Sequence, residues 1–342
     1  MRSGNYILVE QVEALESEVA NFLDVRHTVA CASGTDALLL SMKALGIKAG
    51  DEVITPTFSF VSAAEVACYL EAIPVLVDIS PYSFNIDPES IEAHITEKTR
   101  AIVAVHLYGQ TADIESLIQI AEQHNLLLIE DCAQAFGAKY DDDYVGTLSE
   151  AGCHSFYPTK NLSAYGDGGL ISTHNTDLVA HLRALRNHGS YTRYQHDEIG
   201  YNSRLDEIQA AALRIKLKYI EDFNNQRAVI ATQYDKLLKD FVTIPARDPH
   251  STHVFHQYTI LSPERDHIKQ ALLDNDILSD IYYPHLLGGQ LALSERCKTP
   301  PCPNAEAVAK QCLSLPIYPG LDSDTIERIA SIIIETAQQR DN

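Results

Sequence analysis

Short apolar runs alternate with amphipathic stretches over the first 240 residues of this 342-residue chain. In Glu10–Phe22 the apolar positions Val12, Leu15, Val19 and Phe22 recur every three or four residues, the spacing of one helical face. Similar patterns predict helices over Asp36–Leu45, closed by Gly46 and Gly50, and over Ala63–Tyr69, Pro88–Ile95, Ile114–His124 and Asp177–Asn187. Between them Thr28–Ala32, Glu52–Thr55, Pro74–Val77, Arg100–His106, Leu126–Glu130 and Leu170–Thr173 read as strands. These runs are continuously apolar rather than alternating, which marks strands buried on both faces and hence a parallel sheet clad by helices. A long helical stretch follows from Asp206 to about Asp240. The remainder holds nine of the 14 prolines, a strand over His256–Leu261, a helix over Arg265–Asn275, a strand over Ile277–Tyr283 and a terminal helix over Ser323–Gln339. The pattern predicts a large α/β domain over 1–240 and a small one over 241–342, in keeping with roughly 150 residues per domain.

Composition narrows the function classes. Hydrophobic residues make up 45% and charged residues 21%, as in ordinary globular proteins. The 47 acidic residues outnumber the 26 basic ones, a formal net charge of −21. That balance argues against a nucleic-acid partner, since phosphate backbones are gripped by clustered Lys and Arg. It leaves room for a small anion held at a locally positive site. Seven cysteines with no CxxC pair argue against a disulfide framework or a metal centre and suit a reducing compartment. The N-terminal residues contain no signal-peptide core, and no run approaches the roughly 18 apolar residues of a membrane span. The expected location is the cytoplasm.

Four stretches carry candidate chemistry. Ser33-Gly34-Thr35-Asp36 lies between a strand and a helix, where unpaired amides and a partial positive charge suit a phosphate; equally, it reads as a plain N-cap. Glu130-Asp131 closes a strand at the edge where open α/β sheets bind ligands, or simply caps the next segment. Lys160 sits between Pro158 and the Gly-rich Gly166–Gly169, with few charges around it. A desolvated lysine loses its proton more readily and can form a Schiff base with a carbonyl, although most lysines are solvated surface groups. The polar cluster Gly200–Asp206 opens the long helix and could reach an anion. No GxGxxG follows a predicted strand, which disfavours a dinucleotide-binding oxidoreductase.

Taken together and in order, SGTDAL, GDEVITPTFSF, TRAIVAVHLYGQTADI, LLIEDCAQAFGA, HSFYPTKNLSAYGDGG, GYNSRLDEIQAAALRIKL and SLPIYPGL resemble the DegT/StrS-type sugar aminotransferases, over nearly the whole chain. The resemblance implies the aspartate aminotransferase fold (fold type I): a mixed, mostly parallel seven-stranded sheet, a small C-terminal domain, and a homodimer with its active sites at the interface. It implies pyridoxal 5'-phosphate, alternating with pyridoxamine 5'-phosphate. Lys160 would hold the cofactor covalently and Asp131 would keep its ring nitrogen protonated. Gln134 would contact the ring oxygen region and Phe60 would stack on the ring. Gly34, Thr35 and Ser155 would bind the phosphate, with Asn202 reaching it from the neighbouring subunit.

The same resemblance implies L-glutamate as amino donor and a nucleotide-linked keto-sugar as acceptor, aminated at C3 of a dTDP-3-keto-6-deoxyhexose. The alternatives are a 4-aminotransferase of a UDP- or dTDP-4-keto sugar, or a non-catalytic regulatory relative; the presence of Lys160 favours transamination over dehydration or regulation. Arg193 and Tyr194 are candidates for the sugar-nucleotide diphosphate, or belong to a plain charged loop. Two departures from the family pattern stand out. Family members normally carry a further segment before the SGNYILVEQVEALE match, and here Met1 lies almost on that match: either the start is trimmed or an element that helps close the dimer or substrate pocket is lacking. The small-domain IHYP-x-P-x-H pattern reads Ile281-Tyr282-Tyr283-Pro284-His285-Leu286-Leu287-Gly288, which displaces His285, a candidate substrate contact. His154 beside Ser155 reads as a packing variation.

Overall fold

The computed structural model describes residue 4 and residues 6–338. Eleven strands and eleven α-helices follow one another as α1 (Glu10–Leu23), β1 (His27–Cys31), α2 (Gly34–Ala44), β2 (Glu52–Pro56), α3 (Ser62–Tyr69), β3 (Ile73–Val77), α4 (Pro88–Glu92), β4 (Thr99–Val105), α5 (Ile114–His124), β5 (Leu127–Asp131), a small hairpin of β6 (Lys139–Tyr140) and β7 (Asp143–Tyr144), β8 (Ala151–Ser155), β9 (Gly169–Thr173), α6 (Thr176–Leu185), α7 (Glu207–Leu217), α8 (Ile220–Leu238), β10 (Tyr258–Leu261), α9 (Arg265–Leu273), α10 (Pro303–Gln311), β11 (Cys312–Leu315) and α11 (Ser323–Gln338).

Seven strands form one sheet in the order β1-β9-β8-β5-β4-β2-β3. β3, β2, β4, β5 and β8 run parallel, while β9 is antiparallel to both β8 and β1. The mixed, mostly parallel sheet expected from the sequence is therefore present. Its strands are buried on both sides because neighbouring residues serve different helical layers. Val29, Val103, Ile129 and Cys153 pack with α2, α3 and α6. Ala30, Ile102, Ala104 and Leu128 face the layers built from α1 and α7 at one end and α5 at the other. Strand side chains alternate between faces, so a strand covered on both must be apolar throughout.

Three sequence-based elements come out differently. The stretch from Asp206 to Asp240 is two helices, interrupted at Lys218–Tyr219. Its apolar spacing continues across the break, but α7 packs with α1 whereas Ile230, Ala231, Tyr234 and Leu238 of α8 belong to a second core. The predicted strand Ile277–Tyr283 is irregular, and only Asp280 bridges Ser314. The strand paired with β10 is instead β11, which the proline-rich composition around it concealed. Pro303 occupies the first turn of α10, where proline is tolerated, and the Asp78 carboxylate accepts the amides of Asn304 and Ala305 at 3.0 and 2.9 Å. β8 is a further addition, since its small and polar residues lack a strand signature. Around β10 and β11, α8, α9 and α11 close the second core.

One buried charge cluster ties α1, β1 and α6 together at the sheet edge. Glu16 of α1 accepts the Arg186 guanidinium at 2.6 Å, Arg183 at 2.9 Å and the Ala30 amide at 2.9 Å. Removing one partner of a buried pair strands the other without solvent. Glu16→Ala is expected to cost about 3–5 kcal/mol in urea unfolding. Glu18→Ala, which breaks the half-exposed pair with Arg214, is expected to cost less than about 1 kcal/mol.

Candidate active site

The chamber of interest lies at the carboxyl ends of the parallel strands. It has a volume of about 570 Å³, within the range of small-molecule sites. Gly34 and Thr35 enter from the start of α2, Phe60 from the loop after β2, Asp131 from the end of β5, and Gln134 just beyond it. Ser155 ends β8, and Lys160 follows in the turn after it. Seven of the sequence-predicted residues thus line one cavity.

The end of the chamber at the start of α2 is set by close packing. Ser33 caps α2 by accepting the Asp36 amide at 3.0 Å, and α2 then directs its first turn at the chamber. A Cβ on Gly34 would lie 2.7 Å from the Cβ of Ser155, and one on Gly169 would lie 2.2 Å from the Ser33 carbonyl oxygen. Glycine at both places lets the helix start, β8 and β9 converge. The hydroxyls of Thr35 and Ser62 are 2.8 Å apart beside them. Ser203 reinforces the cradle: its hydroxyl donates to Asp36 at 2.6 Å and accepts the Ala32 amide at 3.3 Å.

The opposite end holds the titratable groups. Asp131 is buried and accepts the Ala133 amide at 3.0 Å. Burial raises its pKa, while that hydrogen bond and the charge of Lys160 pull it down. Burial lowers the Lys160 amine to about 8, against the pull of Asp131. The two groups therefore oppose each other's desolvation across the chamber. Gln134 accepts the Tyr108 amide at 2.8 Å and donates to the Tyr283 hydroxyl at 3.2 Å. Phe60 is 56% exposed and lies against Tyr283, with ring centroids 6.3 Å apart.

Glu130, paired with Asp131 in the sequence reading, turns to the other side of the sheet. Its buried carboxylate takes the amides of Gly146 and Leu148, the Ser149 hydroxyl and His106 Nε2, at 2.7–3.0 Å. Burial works against its charge, yet these hydrogen bonds hold its pKa below the usual value. His106 Nδ1 accepts the Ala112 amide, which assigns the ring hydrogen to Nε2, facing Glu130. Although His106, Glu130 and Cys132 come close enough to suggest a metal group, His106 is engaged by Glu130 and the Ala112 amide, and Glu130 by His106 and the 146–149 turn. His154 is buried edge-on to Phe136 and bonds Ser172, a packing role as anticipated.

Four sequence candidates lie outside this chamber. Asn202 is exposed beside Ser203, Arg193 stacks over the 82% exposed Tyr194, and His285 faces outward. Conversely, His256, Gln257, Tyr282 and Tyr283 line the cavity without having been singled out as ligands. The one signal was in the 281–288 pattern, where Tyr282 replaces a histidine. His256 carried none, because only the long connection from α8 brings it to Lys160.

A helix start with hydroxyls beside it, a desolvated lysine and a buried carboxylate meet in one cavity, a set suited to an enzyme that handles a phosphorylated carbonyl compound. The model of the DegT/DnrJ/EryC1/StrS aminotransferase family matches residues 1–334. The chain is 45% identical over 334 residues to the UDP-N-acetyl-3-dehydro-alpha-D-glucosamine 3-aminotransferase of Acidithiobacillus ferrooxidans, covering 97% of this chain and 90% of that protein. It is 44% identical over 340 residues to a protein of Geobacillus stearothermophilus named pleiotropic regulatory protein, with coverages of 98% and 91%. Identity to the dTDP-3-amino-3,6-dideoxy-alpha-D-galactopyranose transaminase of Aneurinibacillus thermoaerophilus is 40% over 334 residues, with coverages of 97% and 92%. Among solved structures, Streptomyces venezuelae DesV in complex with a ketimine intermediate superposes with a TM-score of 0.96 at 37% identity, over 98% of this chain and 92% of that one. The chain belongs to the DegT/DnrJ/EryC1/StrS aminotransferase family.

The lowered lysine gives a direct test. Trapping of an aldehyde on Lys160 by borohydride is expected to reach half its maximal rate near pH 8, against about 10.4 for a free lysine. Asp131→Asn removes the charge that favours the ammonium, so the midpoint is expected to fall further, as read by peptide mass mapping across pH.

Proposed function

We propose that this chain uses pyridoxal 5'-phosphate to move the amino group of L-glutamate to C3 of a nucleotide-linked 3-keto sugar, a dTDP-3-keto-6-deoxyhexose in the reading closest to its sequence. The observation that carries the proposal is the convergence of Lys160, Asp131 and the first turn of α2 on one chamber. The residues fit the cofactor by their chemistry. The Gly34–Thr35 turn with Ser155 suits a phosphate, the buried Asp131 carboxylate, which would be stabilised by a cation, suits a protonated ring nitrogen, and Phe60 offers an aromatic face. When bound, the cofactor supplies a reactive carbonyl carbon and an electron sink.

The chain's own groups then divide the work. The Lys160 amine, poised near neutral pH, takes the proton from the donor Cα and returns it on the way to product. Asp131 stays beside the ring nitrogen and balances its charge. Gln134, held by the Tyr108 amide, offers its remaining Nε2 hydrogen to the ring oxygen region. Tyr282 stands where the family pattern places a histidine, beside Tyr283, so two phenol groups are available to the sugar here.

The assembly we propose is a homodimer. Phe60 and Tyr165 are exposed near the chamber, and Ile208 and Ile215 are exposed on α7. Asn202, Arg193 and Tyr194 are outside their own chamber, consistent with contributing to a partner's: Asn202 to the phosphate, and Arg193 with Tyr194 to the nucleotide diphosphate. Among the described residues no helix is long and apolar enough to cross a membrane. The free thiols suit the cytoplasm.

C3 amination is favoured by the names of two relatives, which differ in nucleotide and sugar. The regulatory name of the Geobacillus relative raises a non-catalytic reading, against which Lys160 and its desolvated setting count. Lys160→Ala is expected to keep the wild-type circular dichroism and melting temperature and to lose transfer from glutamate by at least about 10⁴-fold. Incubation of the wild type with glutamate and a panel of dTDP- and UDP-linked 3-keto and 4-keto sugars is expected to place the new amine at C3 by NMR. An amine at C4, or a Lys160→Ala enzyme of wild-type rate, would overturn the corresponding part of the proposal.

A further inference from the structure

Behind Lys160 lies a second recess of about 420 Å³, sharing Thr159, Lys160, His256, Gln257 and Tyr282 with the chamber. Among the described residues its other charged side chains are Lys216 and Arg227, and no carboxylate lines it. That is unexpected on a chain of net charge −21. Arg227 is more than nine-tenths buried, and no acidic partner is found for it among the described residues. Its Nη1 donates to the carbonyls of Ile317 at 2.9 Å, Phe255 at 3.0 Å and His256 at 3.5 Å, while its buried Nε donates to nothing. Lys216 donates only to neutral oxygens, those of Ser163, and stands 4.2 Å from the centre of the Tyr165 ring. Burial lowers both cations, Arg227 to about 10.

Buried guanidinium groups are normally paired, and the Nε–Nη2 edge is one of the edges that grips a carboxylate through two parallel hydrogen bonds. With Nη1 committed to backbone carbonyls, that edge is the one left. We propose that this recess binds the distal carboxylate of a dicarboxylic amino donor through Arg227, with Lys216 adding charge. The α-carboxylate is one bond from the reacting carbon and stays in the main chamber, so the group reaching past Lys160 is the remote one. The inference rests on the aminotransferase reading and adds the residues that select the donor.

The test compares half-reactions of the holoenzyme with glutamate and with alanine, which lacks the second carboxylate, by loss of the cofactor's visible absorbance. Arg227→Lys keeps a charge but loses the forked edge. It is expected to lower the preference for glutamate over alanine in kcat/KM by at least about tenfold, chiefly through KM, and Lys216→Gln by about threefold. In the wild type, glutarate is expected to compete with glutamate and butyrate at the same concentration is not; this holds even if Arg227→Lys does not fold. Equal losses for glutamate and alanine, or absence of competition by glutarate, would overturn the proposal. So would a defect confined to the nucleotide-sugar half-reaction, which would assign the recess to a diphosphate. A wild-type enzyme that accepts an amino group from neither donor overturns the aminotransferase reading itself.

Discussion

Desolvation of a lysine and an aspartate in one cavity is the constraint around which this molecule is organised. Each charge is costly to bury, and each offsets part of the other's cost. The outcome is an amine near the pH at which it can both take and return a proton, and a carboxyl shaped to accept a cation. Neither state could be held by a mobile loop. Asp131 is fixed by β5, whose parallel neighbours β4 and β8 secure it on both sides. Lys160 follows β8 directly, and its amide bonds the Tyr157 carbonyl at 2.8 Å. The sheet therefore sets the separation of the two groups through rigid elements.

The neighbouring acid shows what such precision requires. Glu130 and Asp131 are adjacent in the chain and opposite in function. One carboxylate is saturated by four donors and anchors the 146–149 turn, while the other faces the chamber with capacity to spare. A one-residue slip of β5 would exchange their places, because strand side chains alternate. Burial of the strand on both faces is what forbids the slip, so core packing and chemistry are specified by the same contacts.

Charge is distributed by the same logic. The chain is strongly acidic overall, yet the start of α2 turns amides and hydroxyls to the chamber, and among the described residues no carboxylate lines the recess behind Lys160. Local potential is governed by what lies within a few ångströms in a poorly solvated cavity, whereas distant surface charges are screened by salt. An acidic protein can thus present positive sites to small anions while repelling a polyanionic polymer.

Much of this was legible from the residues in order. Continuous apolar runs identified buried parallel strands, and helical spacing identified their covers, because both signals are local. Gly34, Thr35 and Asp131 stood out because each sits at a strand end or helix start that the pattern itself marks, and Lys160 because it is isolated between Pro158 and a Gly-rich turn; Ser155, on a strand without a signature, came only with the family resemblance. What the sequence could not carry depends on contacts between distant segments. The pairing of β10 with β11 rather than with 277–283 is one such case. The break between α7 and α8 reflects two separate cores served by one uninterrupted periodicity. The arrival of His256 and Arg227 behind Lys160 follows from the route of the chain between cores. Local propensity reports which face of an element is apolar. Only the tertiary structure decides which polar groups meet, since their desolvation is a property of everything packed around them.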